Sequence, residues 1–509
     1  MIITLSMVRL RPLFLLELLG LLGFLVLLVA FTLDHRSGRG TLVPIDAAAL
    51  STGSTSERWM GIFFEDQKVG YAVSRNTGTT DGGRLLEGRS RFRLAAFGTI
   101  QDVITAQAAI TDAQGRLTHF DFFMLSDQVR LSARGEVRGD EIVMEVSSGG
   151  ETSELRFPID QPPHVQLSLE ALIARETLFV GKRLEVPFFS PVTMSQGTVQ
   201  YVVEDVEILE NGEEAWWIRS DFEGVESREL VTSGGQTIRQ ESAMGMSMVR
   251  MTAEEAQRMP TSEAAVDIIE RSAVPLKGRL PESRSLRRLD LSIQGVEPER
   301  IFDQPPLQRR EGSTVRVEIP LLLELPRRPL AIADDAALDP AWLEPTATVQ
   351  STHPEVVQRS ASILAGATDR LDAVQRLNAW VFDYVEKAPT FGVPSGLEVL
   401  RTGRGDCNEH TALFVSLARA AGIPTRIAAG VVYSDQIGPQ GAFYYHAWPE
   451  VLIDELAGPD THAWIAVDPT FGQVPADPTH IKLIEGDLDR QVEILAVMGR
   501  LSFELVEAR

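Results

Sequence analysis

Cysteine is almost absent: Cys407 is the single one in 509 residues. No intrachain disulfide can form and no CxxC zinc or redox motif exists, so whatever this thiol does, it does without a partner thiol. Positive charge is also scarce. Lys and Arg number 48 against 71 Asp and Glu, a formal net charge of −23. That balance works against affinity for phosphate backbones or anionic lipid surfaces and disfavours a nucleic-acid-binding role. Internal repeats are missing. With 44% hydrophobic and 23% charged residues, the composition is not that of a disordered chain. What remains is a folded chain of two to four domains, since the length is about three times the ~150 residues of one soft domain unit.

There is one long apolar run, Leu13 to Leu33, whose only charge is Glu17. At about 1.5 Å per residue it covers ~30 Å, the hydrocarbon thickness of a bilayer. Its length and its poor cleavage site predict an uncleaved transmembrane helix at 13–33 rather than a removed signal peptide. A buried core helix would be apolar along one stripe, not on all faces. Arg9 and Arg11 on one side balance Arg36 and Arg39 on the other, so charge bias sets no orientation. The short tail 1–12 is expected to be cytoplasmic. A Gly/Ser/Thr-rich linker at 34–57 then leads to a large part outside a bacterial inner membrane, in the periplasm or beyond it.

Residues 58–251 read as an antiparallel β-rich domain, a large curved sheet or sandwich. Trp59–Phe64, Ile142–Val146 and Ala215–Ile218 are apolar or β-branched runs, and Asp81-Gly82-Gly83, Asp112–Gly115 and Glu210-Asn211-Gly212 are hairpin-type turns between strands. Ser168–Arg175 has a helical pulse. His119 and His164 lie far from each other and from the cysteine. Residues 252–345 form a connecting region with a helix expected over Thr252–Ser272, a proline-rich junction at Pro305-Pro306 and a β unit at Thr314–Ile319. From 346 to 509 the pattern becomes helices followed by strands, a separate α+β domain.

In that last domain Leu371, Val374, Leu377, Val381 and Val385 recur at helical spacing, predicting a helix over Thr368–Lys387 with Trp380 beside its core stripe. Ser395 with Glu398 begins a short helix that Gly403 can end. Next comes Gly405-Asp406-Cys407-Asn408-Glu409-His410-Thr411. Asp406 and Glu409 make a capping-box pair, and Gly422 before Pro424 closes the helix, so Cys407 falls at its first position. There the free N–H groups and the helix dipole are expected to favour a thiolate. Alternation in the strand Phe443–Val451 puts Tyr444, His446, Trp448 and Glu450 on one face. Asp468 ends the strand-like run before Pro469. A cysteine on a helix start, a histidine on a strand and an aspartate on the adjacent strand supply nucleophile, base and orienting acid for acyl transfer. That chemistry needs no cofactor and no metal. Two other readings stay open: a zinc site built from Cys407, His410, His446 and Asp468, and a non-catalytic envelope binding or scaffold protein in which the thiol is inert.

Gly-Asp-Cys-Asn-Glu-His-Thr, the helix end from Arg419 to Arg426, Tyr445–Val451 and Val467–Gly472 together resemble the transglutaminase-like superfamily, over roughly Gln350 to Gly486. The resemblance implies a circularly permuted relative of the papain fold. It also implies Cys407 as nucleophile, His446 as general base and Asp468 as third member of the triad. The substrate it implies is a protein or peptide amide, a cell-wall peptide among the candidates. Members of the superfamily include cross-linkers, amide and peptide hydrolases, deglycosylating amidases and inactive scaffolds, so the family alone does not fix the reaction. The later run Ala476–Ile481 also fits bacterial members. The tryptophan that supports the oxyanion in animal members has no secure counterpart, which leaves the Cys407 backbone N–H to be nominated for that task.

Overall fold

The structure, a computed structural model, describes residues 55–96, 99–126, 130–148, 151–191, 195–222, 224–242, 245–261, 265–267, 271–280, 282–332, 338–346, 348–388, 395–435, 441–457, 463–486, 494, 497 and 499–509. The apolar run 13–33, its tail and nearly all of the linker lie outside these residues. No described helix is long and apolar enough to cross a membrane.

The first region is one sheet of 15 strands. Neighbours pair antiparallel in chain order from Ser56–Phe64 to Glu151–Pro158, and again from Arg183–Ser190 to Met246–Met251. The two runs join where Ser56–Phe64 pairs with Met246–Met251, leaving Glu151–Pro158 and Arg183–Ser190 as the ends of the path. Period-two burial makes these strands. In Arg130–Arg138, for example, Leu131, Ala133 and Gly135 are buried while Arg130, Arg134 and Arg138 are exposed, which leaves one face for the core. The hairpin glycines stand where turns were expected, with φ of 84° at Gly82, 86° at Gly115 and 81° at Gly212, backbone that a side chain would strain.

The helix expected over Thr252–Ser272 is not continuous. Among the described residues its first part runs from Ala253 to Gln257, with Thr252 and Glu255 forming a capping box. Pro260 follows in place of a second turn. Val266–Asp267 then adds a short parallel strand beside Leu94 and Ala95 of the large sheet.

In the C-terminal region the helices Pro354–Ile363, Arg370–Tyr384, Gly396–Thr402 and Cys407–Ala420 accompany a four-stranded sheet in the order Trp464–Ala466, Ala442–Leu452, Thr425–Ser434, Ile481–Glu485. Leu371, Val374, Leu377 and Val381 are fully buried in one core with Leu413, Phe414 and Leu417 of the cysteine helix, each worth ~1.5–3 kcal/mol relative to exposure. Trp380 stacks on Tyr384 at the flank of this core, 4.4 Å between centroids.

The connecting region builds a second core with the same domain. Leu289, Leu291 and Val315 pack with Val431, Phe443, Ile481 and Phe503. Ser502–Ala508 lies between Leu276–Lys277 and Arg288–Gln294 in a five-stranded sheet. Val274 and Phe443 exchange both backbone hydrogen bonds, at 2.7 and 2.9 Å.

Candidate active site

Cys407 opens the helix Cys407–Ala420. The Asp406 side chain accepts from Asn408 N at 2.9 Å, and Glu409 Oε2 accepts from Asp406 N at 2.9 Å, so the capping box is formed. Glycine is required just before it. A Cβ on Gly405 would stand 2.2 Å from Glu409 Cβ. The helix is tied to the neighbouring strand by Thr411 Oγ1, which donates to the Ala447 carbonyl at 3.0 Å. From the same residue a backbone hydrogen bond reaches the Cys407 thiol. Both contacts fall on Ala447, the residue that follows His446 in the strand.

His446 sits in the strand Ala442–Leu452. Glu450 pairs with Ala466 across to the next strand, and continuing that register returns the chain alongside Trp448 and His446 at Asp468. His446 Nε2 lies 2.9 Å from Asp468 Oδ2, which leaves Nδ1 as the ring nitrogen not engaged by the carboxylate. The His446 ring stacks on Phe471, 5.1 Å between centroids and 13° between planes. Asp468 is fully buried. Its Oδ1 accepts from the backbone N–H groups of Thr470 at 2.7 Å and Phe471 at 3.0 Å. Burial works to raise its pKa, but the charge and hydrogen bonds of His446 and His480 outweigh it and hold the carboxyl well below the usual range.

His480 is the residue that sequence reasoning left without a role. Its Nε2 also lies 2.9 Å from Asp468 Oδ2, and its Nδ1 donates to the Asp477 carbonyl at 2.9 Å. Although burial opposes the charged form, the two carboxylates raise its pKa to about 9, so near neutrality the ring is an imidazolium. Asp477 is itself held by Arg284 from the connecting region, 2.7 Å from Nη1 to Oδ2. The same guanidinium lies 4.3 Å from the centre of the Phe471 ring that stacks on His446. The only signal in the sequence was the fit of Ala476–Ile481 to bacterial relatives, and Arg284 gave none.

Of the four residues expected on one face of the histidine strand, three meet neighbours there: His446 meets Asp468, Trp448 meets the His480 ring at 5.2 Å, and Glu450 Oε2 accepts from Lys482 Nζ at 2.7 Å. The surroundings of the thiol work against the expected thiolate. Burial first, then the charges of Asp406, Glu409 and Asp468, push Cys407 well above its ordinary pKa, and the Ala447 hydrogen bond offsets this only in part. The helix start favours a thiolate, while desolvation and the capping carboxylates beside the half-buried sulfur oppose it.

His410 is fully buried and its Nδ1 contacts the Asp406 carbonyl at 2.6 Å. Burial lowers its pKa and keeps it neutral. Among the described residues the histidines and carboxylates whose ligand atoms converge are His446, Asp468 and His480. The zinc set of Cys407, His410, His446 and Asp468 is therefore not brought together.

Residues 357–469 match the family model described as the transglutaminase-like superfamily. A protein-glutamine gamma-glutamyltransferase of Pseudomonas aeruginosa is 32% identical over 109 residues, 20% of this chain, and the chain spans only 15% of that relative's length. Two solved structures share looser likeness. A β-barrel-like protein of a domain of unknown function from Brucella abortus is 13% identical with a TM-score of 0.31, covering 40% of this chain and 96% of its own. A Cytophaga hutchinsonii protein described as a candidate cysteine protease is 15% identical with a TM-score of 0.26, covering 44% of this chain and 86% of its own. The stretch that carries Cys407, His446 and Asp468 is thus a transglutaminase-like domain at the C-terminal side of a chain otherwise dominated by strands.

Proposed function

We propose that the protein is a cysteine-dependent acyltransferase or amide hydrolase acting on protein or peptide amides through a thioester on Cys407. The observation that carries this reading is the 2.9 Å contact between His446 Nε2 and Asp468 Oδ2, which leaves His446 Nδ1 as the atom to serve a thiol held beside the same strand. With desolvation and nearby carboxylates acting against a resting thiolate, activation is by general base. His446 takes the thiol proton as sulfur attacks the carbonyl carbon, then gives it to the departing amine. A second acceptor, water or an amine, loses its proton to His446 and breaks the thioester, which returns the thiol. Asp468 keeps the imidazole in one tautomer and steadies its charged form. The Cys407 backbone N–H is the nominated oxyanion donor.

The printed name of the Pseudomonas relative supports the carboxamide of a protein glutamine as first substrate to try. The apolar run 13–33 supports anchoring in a bacterial inner membrane with the large part outside, where cell-wall peptides are also candidate amides. The test is to incubate the folded protein with glutamine-containing peptides and hydroxylamine. An acyl adduct on Cys407 by mass spectrometry, lost in Cys407→Ala and His446→Ala, is expected. If no amide or activated-ester probe acylates Cys407, and His446→Ala leaves the alkylation rate of the thiol unchanged, the scaffold reading takes its place.

A further inference from the structure

The triad's acid has a fourth partner whose position the acyl-transfer reading does not use. Asp468 Oδ2 is shared by two histidine rings, each nitrogen at 2.9 Å, while Oδ1 is filled by two backbone N–H groups. The two rings stand 5.6 Å apart between centroids, inclined by 60°. His480 cannot relax away from this contact. Its other nitrogen is held by the Asp477 carbonyl, and the Asp477 carboxylate is held by Thr479 N at 2.9 Å, Gln473 Nε2 at 2.8 Å and Arg284 Nη1 at 2.7 Å. Donors on both ring nitrogens, with acceptors facing both, make the ring a buried cation.

We infer that His480, clamped by Asp477 and backed by Arg284, is a positioning residue of the acyl-transfer site that locks the Asp468 carboxylate and offsets its charge at His446. The inference rests on the function proposed above. Two consequences follow from electrostatics. Four donors leave Asp468 no rotation, so His446 keeps one ring orientation. The positive ring behind Asp468 opposes the stabilisation that Asp468 gives to a protonated His446.

The other charged or titratable groups around this pair are accounted for. The charge of Asp468 reaches Cys407 and His410 on the cysteine helix, Lys482 lies two residues along the chain and pairs with Glu450 and Glu485, Asp477 faces the other ring nitrogen, and Arg284 comes from the connecting region. Among them His480 alone places a cation in contact with Asp468.

The test uses the single thiol. Rates of Cys407 alkylation by iodoacetamide are measured from pH 5 to 10 in the wild type, His446→Ala, His480→Gln and His480→Ala. Gln preserves a donor near the Nε2 position without charge. In His480→Gln the inflection due to His446 should move to higher pH by about one unit, since a neighbouring cation has been removed. In His480→Ala the acylation rate should fall ~10–100-fold with little change in KM, and His480→Gln should restore most of it while keeping the shifted profile. In the wild type, carbon NMR of the imidazoles should find one histidine still doubly protonated at pH 8, a measurement that stands even if a variant does not fold. A profile altered by His446→Ala but unmoved by His480→Gln, or a wild-type His480 neutral at pH 8, overturns the inference and leaves the acyl-transfer reading intact. One equivalent of tightly bound divalent metal in the purified protein would also overturn it. A profile indifferent to His446→Ala would instead sink the acyl-transfer reading itself.

Discussion

Two buried carboxylates, Glu229 in the large sheet and Asp468 in the C-terminal domain, meet opposite fates. Glu229 accepts from Gln166 Nε2 at 3.2 Å and Thr237 Oγ1 at 3.4 Å. It lines a cavity of about 330 Å³ with Arg58, Glu170, Gln107, Gln166 and Arg250. The neighbouring guanidinium of Arg58 is committed to Glu170 and to Ser74 Oγ, and burial wins: Glu229 is pushed up to about 7. Asp468 is at least as deeply buried, yet two backbone N–H groups and two imidazoles keep it charged. Burial therefore does not decide ionisation. The number and charge of the donors that reach the carboxylate do.

The comparison is broken most severely by Asp468→Asn. Removing the charge deprives His446 of its orienting acceptor and leaves the His480 cation with Asp477 alone. Acylation should fall by roughly 10³-fold or more. Stability should drop by about 3 kcal/mol, as expected when one partner of a buried ion pair is removed, read by urea unfolding beside a single-turnover assay.

A smaller effect separates the two regions by pH. His480 is raised from 6.5 to about 9 in the fold, so its contribution to stability is fully present below pH 6.5 and is lost as pH rises through about 9. For a ring this buried the loss is on the order of 3 kcal/mol. Unfolding midpoints at pH 6, 7.5 and 9 should fall in the wild type, and this part of the slope should be absent in His480→Gln. A flat profile in the wild type would remove the cation from the site.

The smallest effect is expected in the sheet. Glu229 is raised from 4.5 to about 7. Its contribution is therefore complete below pH 4.5 and lost as pH rises towards 7. Glu229→Gln should fold with a change of less than ~1 kcal/mol at pH 7, because the side chain is already half neutral there, and its stability should vary less between pH 5 and 7 than that of the wild type. A large loss at pH 7 would mean that the ionised form, paired with Arg58, is the one the sheet uses.

What could be read in the sequence was what local chemistry dictates. The capping pair Asp406 and Glu409, the helical stripe from Leu371 to Val385 and the alternating face of His446, Trp448 and Glu450 each sit within a few residues of one another. The antiparallel meander was legible for the same reason, since its turns carry Asp, Asn and Gly at the points of reversal. Hidden were the relations between distant segments. Arg284 touches Asp477 and Phe471 across nearly two hundred residues, and Ser502–Ala508 pairs with strands from the connecting region. The thiol's state was hidden differently. The helix start was visible, but the desolvation and charges that oppose it belong to the folded domain. The helix expected over Thr252–Ser272 was drawn through Pro260, which cannot donate to a continuing helix.

The long sheet of the first region ends in two strands with nothing after them in its path, and such borders are templates on which a foreign strand can grow into an aggregate. Each is guarded by different means. Arg183–Ser190 is covered on part of its length by the segment at His164, whose backbone exchanges hydrogen bonds with Pro187 and Phe189 at 2.8 and 2.9 Å, and Pro187 withholds a donor from the rest. Glu151–Pro158 carries Glu154 and Arg156 in an exposed ion pair and finishes on proline. A sheet of 15 strands is thus kept from recruiting further copies of itself.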